Sequence, residues 1–137
     1  MGSVKSETFE IHTGTELVTN LTAQIRRFCR GHGDGLCHVF VPHATAGLAI
    51  IETGAGSESD LADAVDRLLP PDDVYRHRHG SPGHGRDHVL PAFIAPSMSI
   101  PVDGGEPDLG TWQSVVLVDT NVDNQHRRFR LSFLPAA

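Results

Sequence analysis

The stretch VYRHRHGSPGHGRDH, residues 74–88, holds His77, His79, His84 and His88, out of nine histidines in the chain. Neutral imidazole is a strong ligand for zinc and related metals, and three protein ligands with an open fourth position make a catalytic centre. Spacing alone is a weak signal here. No two of these histidines match a helical H-E-x-x-H motif, and His77 and His79 share a face only in a strand. The segment therefore reads as a metal site, as a phosphate site edged by Arg76, Arg78 and Arg86, or as a polar loop. His43 stands just after an apolar strand and Pro42, and the small residues of HATAG would let a ligand approach the backbone beside the Thr45 hydroxyl. Glu52 ends the apolar run LAII, where a carboxylate is a metal ligand, a general base or a solvated strand end. GTWQ, residues 110–113, sets the only tryptophan, Trp112, beside the Gln113 amide, as a pocket wall or a core anchor.

These groups need elements to hold them. SETFEIHT alternates, with Phe9 and Ile11 on one side, and reads as a half-buried strand. TGTELVTNLTAQIRRFCRGHG predicts one long helix, with Leu17, Val18, Leu21, Ile25, Phe28 and Cys29 on its apolar face and a capping box from Thr13 to Glu16. LCHVFV predicts a strand buried on both faces, joined to LAIIE in one antiparallel ribbon around PHATAG. SESDLADAVDRLLPP predicts a second amphipathic helix, capped by Ser57, with Leu61, Ala64, Val65, Leu68 and Leu69 inward and Pro70–Pro71 as its stop. One helical turn before Pro96 precedes a strand, DGGEPDLG is a turn, TWQSVVLVDT is a strand, and RFRLSFL alternates with Phe129, Leu131 and Phe133 inward. Strands outnumber helices without strict alternation. The expected fold is α+β, a single compact domain over residues 1–137 with a largely antiparallel sheet and two main amphipathic helices packed on it.

Composition narrows the function classes. With 39% hydrophobic and 20% charged residues the chain has an ordinary globular balance. A formal charge of −6 argues against nucleic acid and membrane surfaces as partners, which call for a basic footprint, but leaves room for a small anionic ligand in a local cationic pocket. No apolar run approaches the ~18 residues of a membrane span, and the first residues lack the apolar core of a signal peptide, so a cytoplasmic protein is expected. Cys29 and Cys37 form no C-x-x-C pair and read as buried free thiols.

Taken in order, FVPHATAGLAIIE, VYRH…DHVLPAFIAPSMSIPV, LGTWQSVVLVD and RRFRLSF closely resemble the YjbQ-like family, known as secondary thiamine-phosphate synthase enzymes. The family pattern reads roughly HTTAGLTINEN, Y-x-H, AHIKASLLGPSLTIPV, GTWQ and a terminal RR strand. The resemblance covers nearly the whole chain and implies a subunit that assembles as a homotrimer. It points to a metal site held by His43, His77 and His88, for which imidazole ligands suit zinc. Glu52, Ser97, Trp112 and Gln113 also match family positions; His43 and Glu52 are the expected catalytic residues, and Thr45, Ser97, Trp112 and Gln113 the expected substrate-binding residues. His79 and His84 match nothing in the family and become solvated loop residues under this reading. Both asparagines that flank the family glutamate are missing around Glu52, and Asp119 stands where the family has an acidic strand end.

The activity so implied is a transferase reaction, joining a pyrimidine pyrophosphate to a thiazole phosphate with loss of pyrophosphate. Such chemistry needs cations at the leaving group. Imidazole ligands suit zinc better than the magnesium usual for that task, so hydrolysis of a phosphorylated or ester small molecule stands as the first alternative. A non-catalytic trimer holding a metal or small anion stands as the second.

Overall fold

In the computed structural model, which describes residues 2–72, 74–77, 80 and 84–137, the elements run β1 (Lys5–His12), β2 (Val18–Asn20), α1 (Thr22–Cys29), β3 (Gly35–Phe40), β4 (Ala46–Ile51), α2 (Ser57–Leu68), α3 (His84–Asp87), α4 (Leu90–Phe93), β5 (Ser97–Asp103), β6 (Glu106–Pro107), β7 (Ser114–Asp119) and β8 (His126–Pro135). Arg78, His79 and Pro82 lie outside the described residues. Every strand pair is antiparallel, but there are two sheets rather than one, ordered β1-β8-β3-β5-β6 and β2-β7-β4.

Alternation in β8 explains the larger sheet. Phe129, Leu131 and Phe133 are buried, and the intervening Arg128 and Arg130 are exposed. The buried row meets Cys37 and Val39 of β3, Ile100 and Val102 of β5, and Leu21, Ile25, Phe28 and Cys29 at and in α1. Leu48, Val115 and Leu117 of the smaller sheet close the same core. Val116 and Val118 point the other way, into a second cluster with Val65, Leu69 and Leu90. The smaller sheet is therefore covered on both faces, which is why VVLV, residues 115–118, is apolar without interruption. Burying side chains of this size contributes roughly 1.5–3 kcal/mol each.

Four local expectations are corrected. The long helix is half strand: Val18 and Thr19 pair with Val118 and Leu117, and helix α1 begins only after Asn20, whose Oδ1 accepts the Thr22 N–H at 2.9 Å. Apolar residues at helical spacing here serve a sheet edge first, where the β-branched pair is favoured. Strands β3 and β4 do not form a ribbon; the chain changes sheets at residues 41–45, so that β3 pairs with β5 and β8 while β4 pairs with β7. Leu36 and Phe40 of β3 are exposed, so that strand is covered on one face only. In α2 only Val65 is buried, followed by Leu69 at the helix end, whereas Ala64 and Leu68 face solvent; Ser57 is its first helical residue and makes no cap, and the Glu58 carboxylate accepts the Gly54 N–H at 2.7 Å instead.

The remaining elements follow expectation. Helix α4 is one turn before Pro96, and Gly104 and Gly105, both at positive φ, turn β5 into β6. Gly47 is a close approach: a Cβ there would lie 1.8 Å from the Ile94 carbonyl oxygen, so only glycine lets β4 run under the end of α4. Cys29 and Cys37 are buried free thiols, and the hydrogen bond between them lowers the Cys29 pKa while raising that of Cys37.

Candidate metal centre

Three imidazoles converge where the 74–77 segment meets α3. The ligand nitrogens of His77, His84 and His88 all lie within 4.8 Å of one another. His84 opens α3 and His88 follows its end, so a spacing of i, i+4 sets both rings on one side of a single helical turn. Their Nε2 atoms are 2.9 Å apart, and the ring planes cross at 80°. The His77 ring closes the group, with its centroid 4.2 Å from that of His88 and 5.7 Å from that of His84.

Local packing explains how His77 reaches the pair. The Tyr75 hydroxyl donates to the Pro70 carbonyl at 2.9 Å, tying the segment to the end of α2. Its side chain packs against α3 at Gly85, where a Cβ would come within 2.5 Å of Tyr75 Cβ. Gly80, at φ +76°, crosses over the same centre: a Cβ there would stand 2.6 Å from Asp123 Oδ2 and 2.9 Å from the His84 ring. Arg86, with its side chain mostly buried, closes on Asp66 at 2.6 Å, with a further hydrogen bond to the Leu69 carbonyl.

Behind the rings stand carboxylates. His84 Nδ1 is 3.4 Å from Asp87 Oδ2 and 3.2 Å from Asp123 Oδ2. Burial pushes the Asp87 carboxyl up, against the lowering effect of the hydrogen bond that Thr120 Oγ1 donates to it at 2.5 Å. A metal-ligating histidine usually has a carboxylate behind its second nitrogen; here both carboxylates stand at ion-pair distance from Nδ1 without closing a hydrogen bond. The donor set also fits by size. Imidazole nitrogens around one zinc-type ion at ~2.0–2.1 Å stand about 3.3 Å apart, a spacing that the 2.9 Å pair and the 4.8 Å limit bracket. His84 is buried, His88 half-buried and His77 exposed, so one side of the group is open to solvent.

The cluster differs from the expected ligand set by one residue. His84, expected in solvent, is the most buried member of the group, and His43 is not in it. His43 Nε2 instead accepts the Arg128 N–H at 3.0 Å, and its ring lines a separate groove with Glu10, Asn124, His126 and Arg128. Burial lowers the His43 pKa, and the guanidinium groups of Arg127 and Arg128 lower it further. Thr45 is buried rather than presented to a ligand: its Oγ1 accepts from Arg127 at 3.1 Å and from Asn121 at 3.4 Å. The same Arg127 donates to Asp119 at 2.5 Å, an ion pair with both side chains almost wholly buried.

The other expected site residues lie elsewhere. In the smaller sheet Ala46 pairs with Asp119 and Ile51 with Ser114. Thr45 and Asp119 therefore mark one end, and Glu52 and Gln113 the other, a strand length of ~17 Å away. Glu52 is exposed there. Trp112 is 73% exposed and anchors no core, and Gln113 Oε1 closes its own turn by accepting the Gly110 N–H at 2.7 Å. Ser97 is exposed at the start of β5, opposite Phe40. Within one chain these residues do not converge on the imidazoles.

The sequence did carry a signal for His84. H-G-R-D-H keeps the four-residue separation of a helical metal pair, with Asp87 inside it. Gly85 and the glycines and proline before it hid the helix. Gly85 is required for the approach of Tyr75, so the residue that obscures the motif also assembles it.

Comparison with known proteins agrees with the fold. The model of the family described as UPF0047 protein YjbQ-like matches residues 7–136. A UPF0047 protein of Mycobacterium tuberculosis is 61% identical over 129 residues, covering 94% of this chain and 97% of that protein. A YbjQ-like protein of unknown function from Sulfolobus solfataricus has the same fold, with a TM-score of 0.90 at 22% identity over 98% of this chain and 99% of the other. A hypothetical protein from Aeropyrum pernix aligns with a TM-score of 0.87 at 27% identity, over 96% and 99% of the two chains. The chain belongs to the YjbQ-like UPF0047 family.

Proposed function

We propose that the chain is a metal-dependent enzyme whose centre is His77, His84 and His88. The observation that carries this reading is the convergence of three imidazoles with carboxylates behind the buried one. A zinc-type ion bound there would polarise a phosphoryl or carbonyl oxygen and acidify a water. The chain's own residues supply the rest. His84 is held from behind, His88 opposes it, and the exposed His77 leaves a side through which a substrate enters. Among the described residues three ligands gather there, and structural zinc is usually closed by four, which favours a catalytic over a structural site.

Hydrolysis of a phosphorylated or ester small molecule is the reaction we favour, because nitrogen donors suit zinc rather than magnesium. Thiamine-phosphate synthesis, which the family resemblance implies, is the second reading. Glu52, a strand length from the imidazoles, takes no proton-transfer role at this centre within one chain. A homotrimer belongs to the same proposal, supported by the exposed Trp112, Phe93, Leu36 and Phe40 on a small subunit.

The test is turnover by metal-loaded wild type and His84→Ala on a panel of phosphate monoesters and carboxylic esters, and on a pyrimidine pyrophosphate with a thiazole phosphate. Ester cleavage that disappears in the variant supports the hydrolase. Pyrophosphate release only with the paired precursors supports the synthase. Equal background in both proteins removes the enzymatic reading and leaves a non-catalytic metal-binding trimer.

A further inference from the structure

We infer that the turn following β7, residues 119–123, selects the tautomer of His84 and so decides which of its nitrogens faces the centre. The inference deepens the metal reading above and rests on it for its purpose, but its geometry is independent of any metal.

Two carboxylates face one ring nitrogen. Asp87 Oδ2 and Asp123 Oδ2 stand 3.4 and 3.2 Å from His84 Nδ1. At these distances the contact is electrostatic rather than a closed hydrogen bond: an ionised carboxylate repels a bare ring lone pair and attracts an N–H dipole, so both favour the proton on Nδ1. The lone pair then sits on Nε2, the atom 2.9 Å from His88 Nε2 and grouped with His77. In the metal-free protein His88 is accordingly the donor across that contact.

Both carboxylates are set by the same short turn. Thr120 Oγ1 donates to Asp87 Oδ1 at 2.5 Å, which aims the other oxygen of that carboxylate at the ring. The Asp123 N–H donates to Asn121 Oδ1 at 3.0 Å. Asn121 is fixed in turn, since its N–H donates to Asp119 Oδ1 at 2.9 Å and its side-chain amide to Thr45 Oγ1 at 3.4 Å. Asp119 is clamped by Arg127, which also donates to Thr45. Hydrogen bonds thus run from Thr45 of HATAG and Arg127 of β8 through Asp119 and Asn121 to the backbone of Asp123, while Thr120, next to Asn121 in the chain, bonds Asp87. Thr120 and Asn121 act through other groups and are positioning residues. This gives Thr45 a purpose that a substrate contact does not require.

The direct test is a long-range proton–nitrogen NMR correlation on metal-free, histidine-labelled full-length chain, with His84 assigned by its loss in His84→Gln. The expected result is a His84 ring protonated at Nδ1 and bare at Nε2. A ring protonated at Nε2 overturns the inference. The second test is zinc affinity by chelator competition. Thr120→Val should weaken binding ~10–100-fold, and Thr120→Ser, which keeps the hydroxyl, should restore it. Equal affinity in Thr120→Val and wild type also overturns it. If Thr120→Val does not fold, Asp123→Asn, altered at a side chain 30% exposed, is read the same way. Wild type that binds no zinc defeats the metal centre itself; wild type that binds zinc with His84 protonated at Nε2 defeats only the turn's role.

Discussion

His84 and His88 confront each other through their Nε2 atoms, 2.9 Å apart, from the start and the end of one helical turn. That contact depends on the backbone of α3 lying against Tyr75, with no side chain between them at Gly85. Gly85→Ala would ordinarily gain up to ~1 kcal/mol from helix propensity. Here the added Cβ would meet Tyr75 Cβ at 2.5 Å, and overpacking of that kind costs about 1–3 kcal/mol. Net destabilisation is expected in urea titration, with weaker metal binding because Tyr75 and His77 move together. A stabilised variant would show that the Tyr75 segment is not seated on α3.

The Asp119–Arg127 pair should matter more to stability than any surface charge. Both side chains are almost wholly buried, and each also bonds neighbouring polar groups. Arg127→Ala leaves a carboxylate uncompensated in the interior and should cost roughly 3–5 kcal/mol. Arg26–Glu106, at 3.5 Å between exposed side chains, should contribute under ~1 kcal/mol. Chemical denaturation of the two arginine variants checks the ranking.

These two cases show what was legible in the sequence. Alternation in RFRLSFL gave the buried row of β8 because period two has one solution when one face is buried. The same reasoning put Arg127 out of view, since a buried arginine breaks the apolar row and only its partner Asp119, at the end of β7, explains it. His77 and His88 stood out in the sequence as candidate site residues, and the structure brings their rings together. His84 did not, because its helix contains a glycine that only tertiary packing explains. The β3–β4 ribbon failed for a related reason: Pro42 and the small residues after it read as a hairpin connection, whereas they carry the chain from one sheet to the other.

Acid should destabilise the fold partly through His43. Its unfolded pKa is near 6.5, and the folded value is lower, from burial first and then Arg127 and Arg128. The unfolded chain therefore takes up this proton at higher pH than the folded chain does. The contribution to stability is fully present above about pH 6.5 and is lost as pH falls through the lower folded value. Unfolding free energies of wild type and His43→Gln, measured across pH 7.5 to 5, should converge as pH falls. A constant difference across that range would contradict the assignment.

Trp112 reports on assembly. It is the only tryptophan and is 73% exposed in a single subunit. If copies of the chain associate over this surface, its emission should lie to the blue at working concentration and shift to the red on dilution. Sedimentation of Trp112→Ala should show a smaller species. Red emission at every concentration, with a monomeric mass, would remove the homotrimer from the account.

The central claim is that His77, His84 and His88 form one metal centre and that His43 is not part of it. Metal content of the purified chain by elemental analysis tests it most directly, in wild type, His84→Ala and His43→Ala. The account predicts about one zinc-type ion per chain in wild type and in His43→Ala, and its loss in His84→Ala. No stoichiometric metal in wild type, or a His84→Ala protein that keeps its metal while His43→Ala loses it, would contradict it.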